Sequence, residues 1–129
     1  MPQNDDDVEA SARVSAMWWS RDCGVVEAVA DVAAAKIIER GSWRAVCVGS
    51  VTIVEDDAAA RQAALEAFLF EVGTTLIGTR PQDGADGLVG LGELRVHIAV
   101  SGPEPARGIV LDPHSIARLL PFGLAIFID

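Results

Sequence analysis

Tyrosine is absent from this 129-residue chain, lysine occurs once, at Lys36, and cysteine twice, at Cys23 and Cys47. Two thiols without a secretion signal exclude a disulfide-stapled scaffold and point to a reducing cytoplasm. Cys47, inside an apolar run, reads as a small buried hydrophobe, and Cys23 as a structural residue near a helix start. No apolar run reaches the roughly 18 residues of a membrane-spanning helix, which argues against a membrane partner. Positive charge is scarce as well. Ten basic residues face nineteen acidic ones, for a net charge of −9. A general nucleic-acid binder needs a basic face to displace phosphate counterions, so nucleic acid is not the expected partner. The nine arginines beside one lysine fit either a GC-rich genome or a use of bidentate arginine at interfaces.

What is present is a globular composition, half hydrophobic and 22% charged, at a length that suits one domain. Asp5, Asp6, Asp7 and Glu9 supply −4 of the −9. Residues 1–7 are therefore expected to be a flexible acidic leader, followed by a single domain over 8–129.

Residues 8–19 are ambiguous between helix and strand. Over 25–40, Val26, Val29, Ala30, Ala33 and Ile37 recur at spacings of three and four, which predicts a helix stopped at Arg40-Gly41. Residues 43–54 are rich in β-branched side chains, and Gly49-Ser50 is either a hairpin turn or a bulge in one long strand. The acidic group Glu55-Asp56-Asp57 opens a second helix, ended by Gly73. A short strand follows at 74–79. Residues 88–100 alternate with period two: Leu88, Gly90, Gly92, Leu94, Val96, Ile98 and Val100 share a core face, while Val89, Leu91, Glu93, Arg95 and His97 share the other. A strand at 109–112, a short helix from Asp112-Pro113 and a buried strand over FGLAIFI at 122–128 complete the chain. From residue 43 the order is strand, helix, strand, strand, helix, strand. This predicts an α+β fold with the split βαβ sheet of ferredoxin-like domains, and the 25–40 helix as an additional N-terminal layer.

Patterns that carry chemistry are few. Cys23, Cys47, His97 and His114 lack the close spacing of a metal site, so no metal is expected. The stretch GLVGLG at 87–92 is G-x-x-G-x-G within a strand, not a phosphate loop between strand and helix. DGADG at 83–87 has the wrong carboxylate spacing for calcium and reads as a turn. No pattern requires a cofactor, and no catalytic residue is identified. Glu93, Arg95 and His97, each about 7 Å from the next along a strand face, would suit an anion or a proton transfer, but any exposed strand face looks similar. Trp18 and Trp19 cannot both face one core, so one of them reaches a second surface, and large aromatics favour interfaces.

Part of the chain resembles the shell domain of bacterial microcompartments. The resemblance is carried by Gly24, EAVAD at 27–31 with Lys36, VTIVEDDAAARQAALEA at 51–67, Val72-Gly73 and Arg80-Pro81, in that order over residues 17–81. It departs from the family in the Asp-to-Lys spacing, one residue longer, and in Asp56-Asp57 where the family has Gly-Asp. Residues 88–129 have no counterpart. The resemblance implies self-assembly.

The expected function is thus a non-catalytic protein that self-associates, as a shell-like or scaffold homo-oligomer, or binds a protein partner. Its interface would use Trp18, Trp19, Val89 and Leu91, with Val89 and Leu91 forming an apolar spot rimmed by polar groups. An alternative is a small-molecule enzyme or binding protein, with an anion-accepting pocket between the sheet and the 25–40 helix where Arg80, Glu93, Arg95 or His97 meets the ligand. A third is an acidic adaptor or immunity-type inhibitor facing a basic partner.

Overall fold

The computed structural model describes residues 11–54, 57–79, 87–101 and 111–128. The first element is a strand, β1 (Ser11–Ser20). Ala12, Val14, Ala16 and Trp18 point to one side and are buried, whereas Arg13, Ser15, Met17 and Trp19 point to the other. This period-two pattern settles the ambiguity of residues 8–19 in favour of β-structure from residue 11.

Helix α1 (Cys23–Ala33) follows, capped by Asp22, whose side chain accepts from the Val25 amide at 3.2 Å. The helix expected over 25–40 is shorter than its apolar spacing predicts. Ala34 takes a left-handed conformation (φ 53°) and its amide returns to the last carbonyls of α1. Residues Ile37–Arg40 then form β2, which turns through Gly41 (φ 63°) into β3 (Trp43–Val54). β3 is one strand, not a hairpin. Ala16 pairs with Gly49 but Met17 with Cys47, so Val48 is the extra residue of a bulge.

Helix α2 (Ala58–Gly78) starts at Asp57, whose carboxylate accepts from the Ala60 amide at 2.9 Å. It runs through Gly73 and absorbs the strand expected at 74–79. Val72, Gly73 and Leu76 are buried in its register, and that burial outweighs the β-propensity of Thr74, Thr75 and Ile77. β4 (Glu93–Ser101) begins later than the strand expected over 88–100, because Leu88 and Leu91 close a turn (amide to carbonyl, 3.0 Å) with Gly90 at φ 80°. Leu111 and Asp112 are not in a strand. Helix α3 (Pro113–Leu119) has Asp112 as its cap, continues into a 3-10 turn at Leu120–Phe122, and leads to β5 (Ala125–Ile128).

The five strands lie in the order β2-β3-β1-β4-β5, antiparallel throughout except for the parallel β4–β5 pair. β3 sits between the two strands joined by α1, and β1 between the two joined by α2. The fold is therefore α+β, but its first strand is residue 11 onward rather than residue 43 onward. β5 lies at an edge, with Phe127 and Ile128 exposed, which corrects the expectation of a strand buried on both faces. α1 and α2 pack side by side on the face carrying Ala12, Val14, Ala16 and Trp18. Val25, Val26 and Val29 of α1 and Leu65, Phe68, Leu69, Val72 and Leu76 of α2 fill this core. Trp18 meets Phe122 edge to face, centroids 6.5 Å apart. No helix among the described residues is long and apolar enough to cross a membrane.

Candidate functional site

All described helices that contribute to the core lie on one side of the sheet, so among the described residues no helix covers the opposite face. Register decides who shares it, since residues paired across strands project to the same side. Trp19 pairs with Ala45 on β3 and Glu93 on β4; Met17 pairs with Cys47 and Arg95; Ser15 pairs with His97; and His97 pairs with Phe127 on β5. Ala45 is fully buried on this face, where Trp19 stands across from it and Trp43 two residues before it.

Two cation–ring contacts and one ring stack cross this face. The Arg95 guanidinium lies 4.7 Å from the Trp19 ring centre, and that of Arg21 lies 4.6 Å from Trp43. The His97 imidazole stacks on Phe127 with centroids 4.7 Å apart and planes 12° from parallel. Arg95 also pairs with Glu93, Nε to Oε1 at 2.9 Å. A stacked, ion-paired arginine has lost much of its rotamer freedom before any partner arrives, which lowers the entropy cost of docking there. Trp19 is half-buried, and its Nε1 is buried without a hydrogen-bond partner among the described residues.

Charge divides between the two sides of the molecule. On the sheet face, register places Arg13, Arg21, Arg40 and Arg95 against a single carboxylate, Glu93. The helical side carries Glu27 and Asp31 on α1 and Asp57, Glu66 and Glu71 at α2, against Arg61 on α2 and Arg118 on α3. An acidic protein thus presents one basic face, a polarity that the net charge hides.

Trp18 and Trp19 separate as their adjacency requires: Trp18 belongs to the core and Trp19 to the open face. Val89 and Leu91 do not extend that face. They lie in the turn before β4, where Val89 is 64% exposed and Leu91 packs partly against the core. The Leu91 carbonyl accepts from the buried Ser20 hydroxyl at 2.7 Å. Glu93, Arg95 and His97 do share one side, but it is the side away from α1, so they do not line a pocket between sheet and helix. Arg80 lies outside the described residues, as do residues 1–7 and the 83–86 part of DGADG.

Two hollows bear on ligand binding. Between the sheet and the start of α2, beside Val14, Ile53 and Leu65, the space is about 20 Å³, near the size of one water. An open depression of about 410 Å³ lies at the end of β1, walled by Ser20, Arg21, Asp22, Trp43 and the segment 90–93. Its charged groups are engaged. Asp22 caps α1, Glu93 holds Arg95, and Arg21 lies on Trp43. An anion entering it would face two carboxylates.

No group of three or more His, Cys, Asp or Glu residues is placed to hold a metal ion among the described residues. His114 is exposed in the first turn of α3, Cys23 is exposed and Cys47 half-buried, both thiols being free. Four members of the basic face escaped the sequence reading: Arg13, Arg21, Arg40 and Phe127. The signal for Phe127 was available, because two-residue alternation in AIFI puts it on the side opposite Ile126 and Ile128. No protein-family model, no curated protein and no solved structure matches this chain.

Proposed function

We propose that this chain is a non-catalytic interaction protein of the cytoplasm, which works by self-association or by docking a protein partner through the sheet face opposite its described helices. The interleaving of β1-α1-β2 with β3-α2-β4 supports reading the sheet as a ferredoxin-like split βαβ arrangement with β5 added at one edge. The observation that carries the functional reading is the row Arg21–Trp43, Arg95–Trp19, His97–Phe127 on a sheet face that no described helix covers. Rings and arginines are the side chains that dominate binding energy at interfaces, and here their cations oppose the charge of the rest of the molecule. A second copy offers the acidic helical side that such a face would meet, which suits a layered, shell-like or scaffold oligomer. The resemblance to microcompartment shell domains points the same way.

Light scattering at tens of micromolar, on the wild type and on an Arg95→Glu, Phe127→Glu variant, tests this. Both side chains lie on the open face, so circular dichroism should show an unchanged fold. The wild type should exceed the monomer mass and the variant should fall toward it. A monomeric wild type that also captures no protein partner through this face ends the proposal.

A further inference from the structure

Helix α2 is apolar on two sides. One side, Leu65, Phe68, Leu69, Val72 and Leu76, is the core. The other is a second stripe, Ala63, Ala67, Phe70, Thr74 and Ile77, all exposed, with Phe70 59% and Ile77 45% accessible. Its spacing of four, three, four and three residues is the seam of a coiled coil, not the single core-facing stripe of an ordinary surface helix. From Ala63 to Ile77 such a seam is about 21 Å long. None of its own residues is charged.

The charges that flank it are arranged in a particular way. Glu66 lies beside the stripe one turn before Phe70, its carboxylate held by the Gln62 amide at 2.9 Å. Arg118 reaches in from α3 on the same flank, one turn later. Its stem lies over Gly73, where a Cβ would come 2.7 Å from Nε. Its guanidinium sits 4.3 Å from the Phe70 ring centre and donates to the Thr74 hydroxyl at 3.0 Å. Neither Glu66 nor Arg118 forms an ion pair among the described residues. The Arg118 Nε is buried with no hydrogen-bond partner there.

We propose that α2 packs antiparallel against α2 of a second copy of this chain, across a two-fold axis at Phe70, with Glu66 of each copy against Arg118 of the other. This rests on the reading of the chain as self-associating, but it uses a different surface from the sheet face. The axis settles the register. It sets Phe70 opposite its own symmetry mate and Ala63 opposite Ile77, with Ala67 one residue out of step with Thr74, so small side chains meet larger ones on both sides of the central ring pair. A two-fold axis perpendicular to the helix keeps each flank on its own side and exchanges the two directions along it. Glu66, one turn before the axis, therefore arrives beside Arg118, one turn after it, twice per dimer. A parallel pair would instead set Ala63 against Ala63, leaving a gap, and would put Glu66 and Arg118 on opposite flanks. The acidic rim of Glu66 and Glu71 also disfavours an anionic lipid surface as the occupant.

Cysteine cross-linking reads the register directly. In a Cys23→Ser background, Ala63→Cys and Ile77→Cys chains mixed under mild oxidation should form a mixed disulfide dimer. Phe70→Cys should link to itself, and Ala63→Cys alone should link at most one-tenth as fast as the mixture. Dominant self-linking of Ala63→Cys, or no linking in the mixture, overturns the proposal. Charge exchange supplies the second readout. Glu66→Arg and Arg118→Glu should each weaken dimerisation tenfold or more, and the two together should restore it, an outcome that a folding defect would not produce. Failure of the double variant to recover, with its fold intact by circular dichroism, also overturns it. The sheet-face variant separates the two surfaces, since Arg95→Glu, Phe127→Glu should leave the 63–77 cross-link in place. If that variant keeps the wild-type mass while the cross-link forms, the sheet face fails as a self-association surface and the α2 dimer stands.

Discussion

Gly92 and Trp18 are packed so closely that a Cβ at residue 92 would lie 2.5 Å from Cζ2 of the indole and against the backbone carbonyl of Trp19. Trp18 is fully buried and in edge contact with Phe122, so the ring has nowhere to retreat. The absent side chain at the start of β4 is what lets the largest core residue lie flat beneath it.

Gly92→Ala should therefore destabilise the fold by about 3 kcal/mol, at the upper end of overpacking costs. Gly78, at the end of α2, has nothing within 4 Å of its would-be Cβ, and Gly78→Ala should stabilise by about 0.5 kcal/mol through the unfolded chain. Urea denaturation of both variants measures the contrast. Equal effects at the two positions would mean that Trp18 can move.

Asp57 should matter more than an exposed loop carboxylate does. It satisfies the Ala60 amide at 2.9 Å at the positive end of a 21-residue helix. Asp57→Ala should cost about 1 kcal/mol, and Asp57→Ser should recover most of it, because the hydroxyl accepts the same bond. Thermal melts of the two variants check the order.

Much of the architecture was legible in the sequence, and the misreadings share a cause. Asp112-Pro113 announced α3 by capping chemistry alone, and β-branched residues announced β3. The helix read over 25–40 failed at Ala34, a non-glycine residue in the left-handed region that no local pattern marks. Once the chain turns there, Ile37 and Ile38 serve β2, although Ile37 follows Ala33 at the four-residue spacing of a helix. Residues 74–79 show the converse. Their strand composition is overridden because Gly73 and Leu76 pack inward against α3 and the sheet, a contact some forty residues distant in sequence.

The face of Glu93, Arg95 and His97 was legible from alternation, but what covers it was not. Whether a strand face is solvated depends on where every helix packs, and this became readable only once α1 and α2 both fell on the Trp18 side. The contact of Arg95 with Trp19 across two strands has no signature in spacing.

Arg95→Ala should accordingly change the environment of Trp19 more than it changes stability. The Arg95–Glu93 pair and the ring contact are both partly exposed, and each is worth about 0.5–1 kcal/mol. Acrylamide should quench tryptophan fluorescence more efficiently in the variant, while the urea midpoint moves little. Unchanged quenching would mean that Arg95 does not shield the Trp19 ring in solution.

Val89 and Leu91 test the turn before β4, because the strand reading treats them alike and the structure does not. Val89 is 64% exposed, and its side chain makes no contribution to the core cluster. Leu91 packs partly against that cluster, and its backbone carries two bonds, donating to the Leu88 carbonyl at 3.0 Å and accepting from Ser20 at 2.7 Å. Val89→Glu should leave stability within about 0.5 kcal/mol, as surface substitutions generally do. Leu91→Glu places a carboxylate where a half-buried aliphatic chain packs, and should cost about 2 kcal/mol from lost burial and charge desolvation together. The double variant should come close to Leu91→Glu alone, because Val89 stands outside the core cluster against which Leu91 packs. Chemical denaturation of the two single variants and the double variant measures all three quantities. A loss at Val89 equal to that at Leu91 would show the strand continuing through residue 89, with both side chains on one covered face.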